Sequence, residues 1–235
     1  MQIVSRTHRG YKNQRNEDRL LIRQINSNKA LLLVADGLGG HPGGDVASSL
    51  VAKSISGAAD RLDSIDLTRL IRKAGEAIMH HGAAHPEVDG MGSTATLALV
   101  EPHRVQWAHV GDSRLYHLQG GRLHCKTRDQ TLARQMYEQG EIDLEALRNH
   151  PLNHFLTQCL GEEDIVPERG SFIWAPEDIL LLNSDGLHNM LEDDQIAEIL
   201  AQGRNLEHQA DQLLAQALAA GGNDNVSLII CMNGA

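Results

Sequence analysis

Aromatic side chains are nearly absent from this chain. Two Trp, three Tyr and two Phe make 3% of its 235 residues, so a sizeable core has to be aliphatic, and the 41% of apolar residues suffice to build one. No apolar run approaches the ~18–20 residues that cross a bilayer. The N-terminal stretch MQIVSRTHRGYKNQR is polar and lacks the apolar centre of a secretory signal. Membrane insertion is therefore not expected, and a cytoplasmic location is. Cysteine is scarce too. Cys125, Cys159 and Cys231 are scattered and odd in number, which suits neither a zinc cluster nor a disulfide framework. Their apolar neighbours predict buried free thiols in a reducing compartment. Positive charge is in deficit, 21 Lys and Arg against 31 Asp and Glu for a net −10. Nucleic-acid backbones need clustered cations, so no such partner is expected. The balance suits a protein that gathers carboxylates around metal cations.

The chain is organised around residues 31–49, LLLVADGLGGHPGGDVASS. A short apolar run has the length of a buried strand and ends in Asp36. A glycine-rich turn follows, and then apolar residues at helical spacing over 44–57. A second helix is predicted from Leu67, Leu70, Ile71, Ala74 and Ile78, with Asp66 capping its start and Gly82 its end. Residues 92–100, 105–110, 114–118 and 122–126 read as strands joined by short turns, an antiparallel meander. Residues 129–151 are polar and weakly periodic, an excursion from the sheet. Residues 178–183 return to strand character. Two helices follow, one marked by Ile196, Ile199 and Leu200, the other by Leu206, Ala210, Leu213 and Ala217 with Asn205 as its cap. The last strand is 226–232. Grouped strands with helices in pairs predict an α+β fold: one domain, 1–235, with a central antiparallel β-sandwich and helix pairs on both faces.

Five carboxylates sit at the edges of strands: Asp18 in NED, Asp36 in ADG, Asp112 in VGDSR, Asp185 in NSDG and Asp224 in NDN. Any one of these pairs reads most simply as a turn. As a set beside apolar strands, they predict convergence at one end of the sandwich. Converging carboxylates raise each other's pKa unless cations intervene, and an all-oxygen site suits Mg²⁺ or Mn²⁺ better than zinc or copper.

The blocks GYKNQRNEDR, VADGLGGHPGGDVAS, MGSTA, VGDSRLY, TRD, LTQCLG, LNSDGL and GNDNVS follow one another along the chain. In that order the chain resembles the metal-dependent PPM (type 2C) protein serine/threonine phosphatases in their compact bacterial form. The resemblance implies two core Mn²⁺ or Mg²⁺ ions. Asp36 would bridge them, Asp185 and Asp224 would complete one, and the Gly37 carbonyl would bind the other. Glu17 and Asp18 would hold bound waters, and Asp112 with Asp185 would form a weaker third site. It further implies hydrolysis of phosphoserine and phosphothreonine by a hydroxide shared between the two ions. Phosphorylated proteins would be the substrates, in opposition to a bacterial Ser/Thr kinase, in settings that include type VI secretion. Nothing demands more than a monomer.

Three departures stand out. The family's phosphate-binding Arg is replaced by Asn13, leaving Arg15, or less favourably Lys12, to meet the phosphate. The animal members' His two residues after the bridging Asp is Leu38, which makes His41 a candidate proton donor beside the more ordinary role of a loop histidine. Asp129-Gln130 and Gln158 stand where the family has Asp-His and Arg, and residues 129–151 correspond to a flap beside the active site. The competing class is a catalytically weak phosphoprotein-binding module of the same fold, supported by the missing Arg alone.

Overall fold

The computed structural model describes residues 1–39, 43–59, 66–148, 150–203 and 205–234. Among the described residues, ten strands form two antiparallel sheets of five. One sheet has the order β1 (Gln2–His8), β10 (Val226–Met232), β9 (Ile179–Asn183), β6 (Arg114–Gln119), β7 (Arg122–Cys125). The other runs β2 (Arg19–Asn26), β3 (Lys29–Ala35), β4 (Ala95–Val100), β5 (Arg104–Val110), β8 (Glu168–Ile173). The expected α-β-β-α layering is present. β3 shows why its sequence is a continuous apolar run rather than an alternation. Ala30, Leu32 and Val34 point into the space between the sheets, where they meet Trp107, Trp174, Leu180 and Ile229. Leu31, Leu33 and Ala35 point the other way, into the layer of α1 (Gly44–Ala59) and α2 (Leu67–Ala84). A strand covered on both faces has no position left for a polar residue. β10 does the same for the opposite sheet. Ile229 and Cys231 face inward, while Leu228 and Ile230 pack under α6 (Asp193–Leu200) and α7 (Leu206–Ala219).

Both predicted N-caps are made: Asp66 accepts from Thr68 N and Arg69 N, and Asn205 accepts from His208 N. The acidic run at 192–194 opens α6 with a capping box between Glu192 and Gln195. Several expectations are corrected. Gly82 is buried inside α2, which continues to Ala84 and ends at His85 and Pro86. The strand expected from residue 92 begins at Ala95, because Ser93 is held in isolated bridges to Gly37 and Leu160. Cys125 is exposed, whereas Cys159 and Cys231 are buried. Strands β1, β2 and β8 were not foreseen. All three lie at sheet edges, where half-exposed faces admit polar side chains. The 129–151 excursion is built of α3 (Leu132–Glu138) and α4 (Leu144–Arg148), followed by the 3-10 turn Pro151–His154. Among the described residues no helix is long and apolar enough to cross a membrane.

Candidate active site

The expected aspartates sit where strands of both sheets end. Asp36 follows β3, Asp112 lies two residues past β5, Asp185 opens the short helix α5 (Asp185–His188) just after β9, and Asp224 lies two residues before β10. Together with Glu17, Gly37, Asn13 and Arg15 they line one cavity of about 590 Å³. Asp18 is buried behind it. Lys12 is not among the lining residues. His41 lies outside the described residues.

Close backbone approach makes this convergence possible. A Cβ on Gly37 would lie 2.1 Å from the Gly44 carbonyl oxygen, and one on Gly186 would lie 2.0 Å from that of Asn225. Only glycine lets the Asp36 and Asp185 turns pack this tightly. The Asp36 backbone is pinned on both sides: its N–H donates to Thr94 Oγ1 (3.0 Å), and its carbonyl accepts from Thr94 N (2.8 Å) and Ser93 Oγ (2.9 Å). Ser184 Oγ donates to Asp18 Oδ2 at 2.8 Å and accepts from Ser227 N at 3.0 Å. Asn225 Oδ1 accepts from Glu17 N at 2.7 Å, which ties the NED segment to the last strand. Asn189 Nδ2 donates to Asp185 Oδ2 at 3.0 Å.

Burial and crowding make this a site of high negative potential. Asp36 and Asp185 are held well above the usual carboxylate range, first by desolvation and then by the surrounding aspartates. Burial pushes Asp112 up to about 7, with Asp129 adding to it. Burial takes Asp18 to about 6, although hydrogen bonds from Ser227 and Ser184 pull the other way. Glu17 is raised by burial and by Asp45 and Asp224. Asp18 Oδ1 is buried without a hydrogen-bond partner. Among the described residues no three acidic, His or Cys side chains close on a single point. The carboxylates instead share a cavity, as suits hard ions that keep several waters. Oxygen donors without thiolate, mutual repulsion and an orphaned buried carboxylate oxygen together fit divalent cations of the Mg²⁺ and Mn²⁺ type.

The family model described as protein phosphatase 2C matches residues 6–220. The chain belongs to the protein phosphatase 2C family. It is 34% identical to the serine/threonine phosphatase stp of Listeria monocytogenes, over 98% of this chain and 95% of that one. The crystal structure of serine/threonine phosphatase Stp1 from Staphylococcus aureus superposes with a TM-score of 0.92 at 29% identity, covering 98% of this chain and 94% of that one. The catalytic domain of the phosphatase PstP in complex with two manganese ions gives 0.84 at 31% identity, covering 97% and 96%.

Within this phosphatase 2C chain, the departures from the family pattern have structural answers. Asn13 does not present a cation. Its Nδ2 donates to Asp224 Oδ1 at 2.7 Å, so it orients that carboxylate. Arg15 lines the cavity, is 78% exposed and makes a loose 3.5 Å pair with Asp45. Gln130 clamps the turn before Asp112: its side-chain oxygen accepts from Gly111 N and its backbone N–H donates to the Gly111 carbonyl, both at 2.8 Å. Gln158 accepts from Val166 N at 2.7 Å, away from the cavity lining. The base of the excursion is tied down by Arg114, which reaches both Asp129 oxygens at 2.8 and 2.6 Å. Met136 and Tyr137 are half-buried and do not line the cavity, and Tyr137 lies under the Arg134 guanidinium. His154 and Leu156, from the end of the excursion, do line it. Sequence reasoning missed these two, along with Ser184, Asn189 and Asn225. The NSDG and NDN blocks that carry Ser184 and Asn225 were the available signal.

Proposed function

We propose that this chain hydrolyses phosphoserine and phosphothreonine in proteins. The observation that carries the reading is the cavity itself, in which carboxylates from the ends of four strands face a single space and three of them, Asp36, Asp112 and Asp185, are raised by burial and by neighbouring carboxylates. Asp36, Asp185, Asp224 and the Gly37 carbonyl would hold two Mn²⁺ or Mg²⁺ ions, Glu17 and Asp18 would orient waters, and Asp112 with Asp185 would take a third, weaker ion. When bound, such a pair supplies a water acidic enough to be a nucleophile at neutral pH and neutralises charge on the phosphoryl oxygens. The residues supply the rest. Asn13 and Asn189 fix the Asp224 and Asp185 carboxylates, and the Thr94 and Ser93 contacts fix Asp36 at the strand end. Arg15, exposed and only loosely paired, swings from Asp45 to the substrate phosphate. Unaided hydrolysis of a phosphate monoester is so slow that such a site must lower the barrier by about 20 kcal/mol or more. This preorganisation of charge is the means.

The chain would act as one monomeric domain over residues 1–235, with 129–151 as a flap that shapes substrate choice. It would work in the cytoplasm, where its free thiols stay reduced, and would oppose a bacterial Ser/Thr kinase, with type VI secretion control as one setting. The deciding experiment is hydrolysis of p-nitrophenyl phosphate with Mn²⁺ and then with chelator. Mn²⁺-dependent turnover that is lost in Asp36→Asn and Asp224→Ala supports the enzyme. Mn²⁺ binding without turnover would instead identify a phosphoprotein-binding module.

A further inference from the structure

We propose that a groove beside the catalytic cavity seats the substrate polypeptide next to its phosphorylated residue and selects an anionic group there, either a second phosphoryl group or an Asp or Glu carboxylate. This rests on the phosphatase reading and specifies which phosphoproteins the same site prefers. The groove, about 350 Å³, lies between the Pro151–His154 turn and the α5 segment, and Arg148, His150, Asn153, Asn189 and Asn223 line it. His154 and Asp224 line both the groove and the catalytic cavity. The two spaces therefore adjoin across these two side chains. An extended chain advances only ~3.3 Å per residue, so a substrate whose phosphoester lies in the cavity has its next residues in the groove.

The groove's chemistry differs from that of the chain as a whole. Against a net charge of −10, its described lining carries no carboxylate except Asp224 at the shared end, and it carries Arg148 and two imidazoles. Arg148 is 63% exposed and its partner Glu192 is 3.6 Å away, a surface pair that exchanges readily for another anion. His150 Nδ1 accepts from Leu152 N at 3.3 Å, so the neutral ring carries its proton on Nε2 as a donor. Asn153 is held by the Leu147 and Arg148 carbonyls at 2.6 and 3.3 Å, which fixes the turn bearing His150 and His154. One cation with two imidazole donors, beside amides able to meet a peptide backbone, selects for negative charge on the bound strand.

The test compares kcat/KM for phosphoserine peptides that differ only in the adjoining residues, which are Ala, Glu, or a non-hydrolysable phosphonate analogue of phosphoserine. It uses the full chain with Mn²⁺, and p-nitrophenyl phosphate is run alongside. In the unmodified protein an anionic neighbour raises kcat/KM about two- to fivefold, the range of an exposed charge contact. In Arg148→Ala/His150→Gln that ratio falls to about one. In Glu192→Gln, which releases Arg148, it rises. Preference for the phosphonate over Glu assigns the groove to a second phosphoryl group, and equal preference assigns it to carboxylates as well. Equal rates on all three peptides, or a preference that survives the double substitution, overturns the proposal. If p-nitrophenyl phosphate is not turned over either, the phosphatase reading beneath it fails.

Discussion

Ser184→Ala should disable the site's support without touching its surface. Ser184 Oγ is buried, donates to Asp18 Oδ2 at 2.8 Å and accepts from Ser227 N at 3.0 Å. Removing it takes one of two serine donors from a carboxylate whose other oxygen has none, and it orphans a buried backbone N–H. A hydrogen bond to a charged group contributes about 1.5–3 kcal/mol and an unsatisfied buried group costs about 1–3 kcal/mol, so the loss is about 3–5 kcal/mol where Asp18 is ionised. For a domain of this size, about 2–4 °C per kcal/mol gives a fall in Tm of about 6–20 °C. The pH dependence has a definite sign. Asp18 is raised to about 6 in the fold, above its unfolded value, so its contribution to stability falls as pH rises from the unfolded value through about 6. Ser184 holds that pKa down, and its removal pushes the folded pKa higher and extends the loss to higher pH. The penalty is therefore smaller at acid pH, where Asp18 is protonated and the orphaned Ser227 N–H is the main loss, and largest above neutrality. Thermal unfolding of chelated protein at pH 5 and pH 8 measures it. A Tm loss equal at both pH values, or a loss under about 1 kcal/mol, would refute the assignment of Ser184 as the donor to an ionising Asp18.

Asn13→Ala removes the side-chain donor to Asp224 and should lower Mn²⁺ affinity about tenfold by calorimetry, in line with other partners that orient a ligating carboxylate. Gly186→Ala places a Cβ 2.0 Å from the Asn225 carbonyl oxygen and should cost about 3 kcal/mol or more, read as a lower urea midpoint with an unchanged slope. Arg15→Ala should raise KM for a phosphopeptide about five- to tenfold while leaving Mn²⁺ affinity alone, and an unchanged KM would remove Arg15 from the phosphate site.

The buried half of the fold was legible in the amino-acid sequence because its chemistry is extreme. β3 and β9 are covered on both faces and therefore read as apolar runs that lead into a carboxylate, directly at Asp36 and through Asn183 and Ser184 at Asp185. The edge strands β1, β2 and β8 were not legible, since one ladder partner and only partial coverage leave a polar, unremarkable composition. At the site the aspartates announced themselves by position, but their supports did not. Ser184 reaches Asp18 across 166 residues and Asn225 reaches Glu17 across 208, and local pattern cannot signal a pairing that only the closed sandwich creates. Asn13 shows the limit from the other side. Its position in the motif predicts only a lost phosphate cation, whereas its amide serves the Asp224 carboxylate.

The pairing of β1 with β10 sets an order on how this protein becomes competent. The first strand's ladder partner is the last one, from Gln2 opposite Met232 to His8 opposite Val226, and β10 also zips against β9. Asp224 and the Asn225 that fastens Glu17 belong to that final segment. During synthesis the N-terminal strand and the NED turn behind it must therefore wait, without a template, until residue 232 has been made. The helix pair over β3 and β4 can assemble long before then. A nascent chain without β10 holds most of its aspartates but lacks Asp224 and the Asn225 tie to Glu17, so the cavity is completed only when β1 and β10 pair.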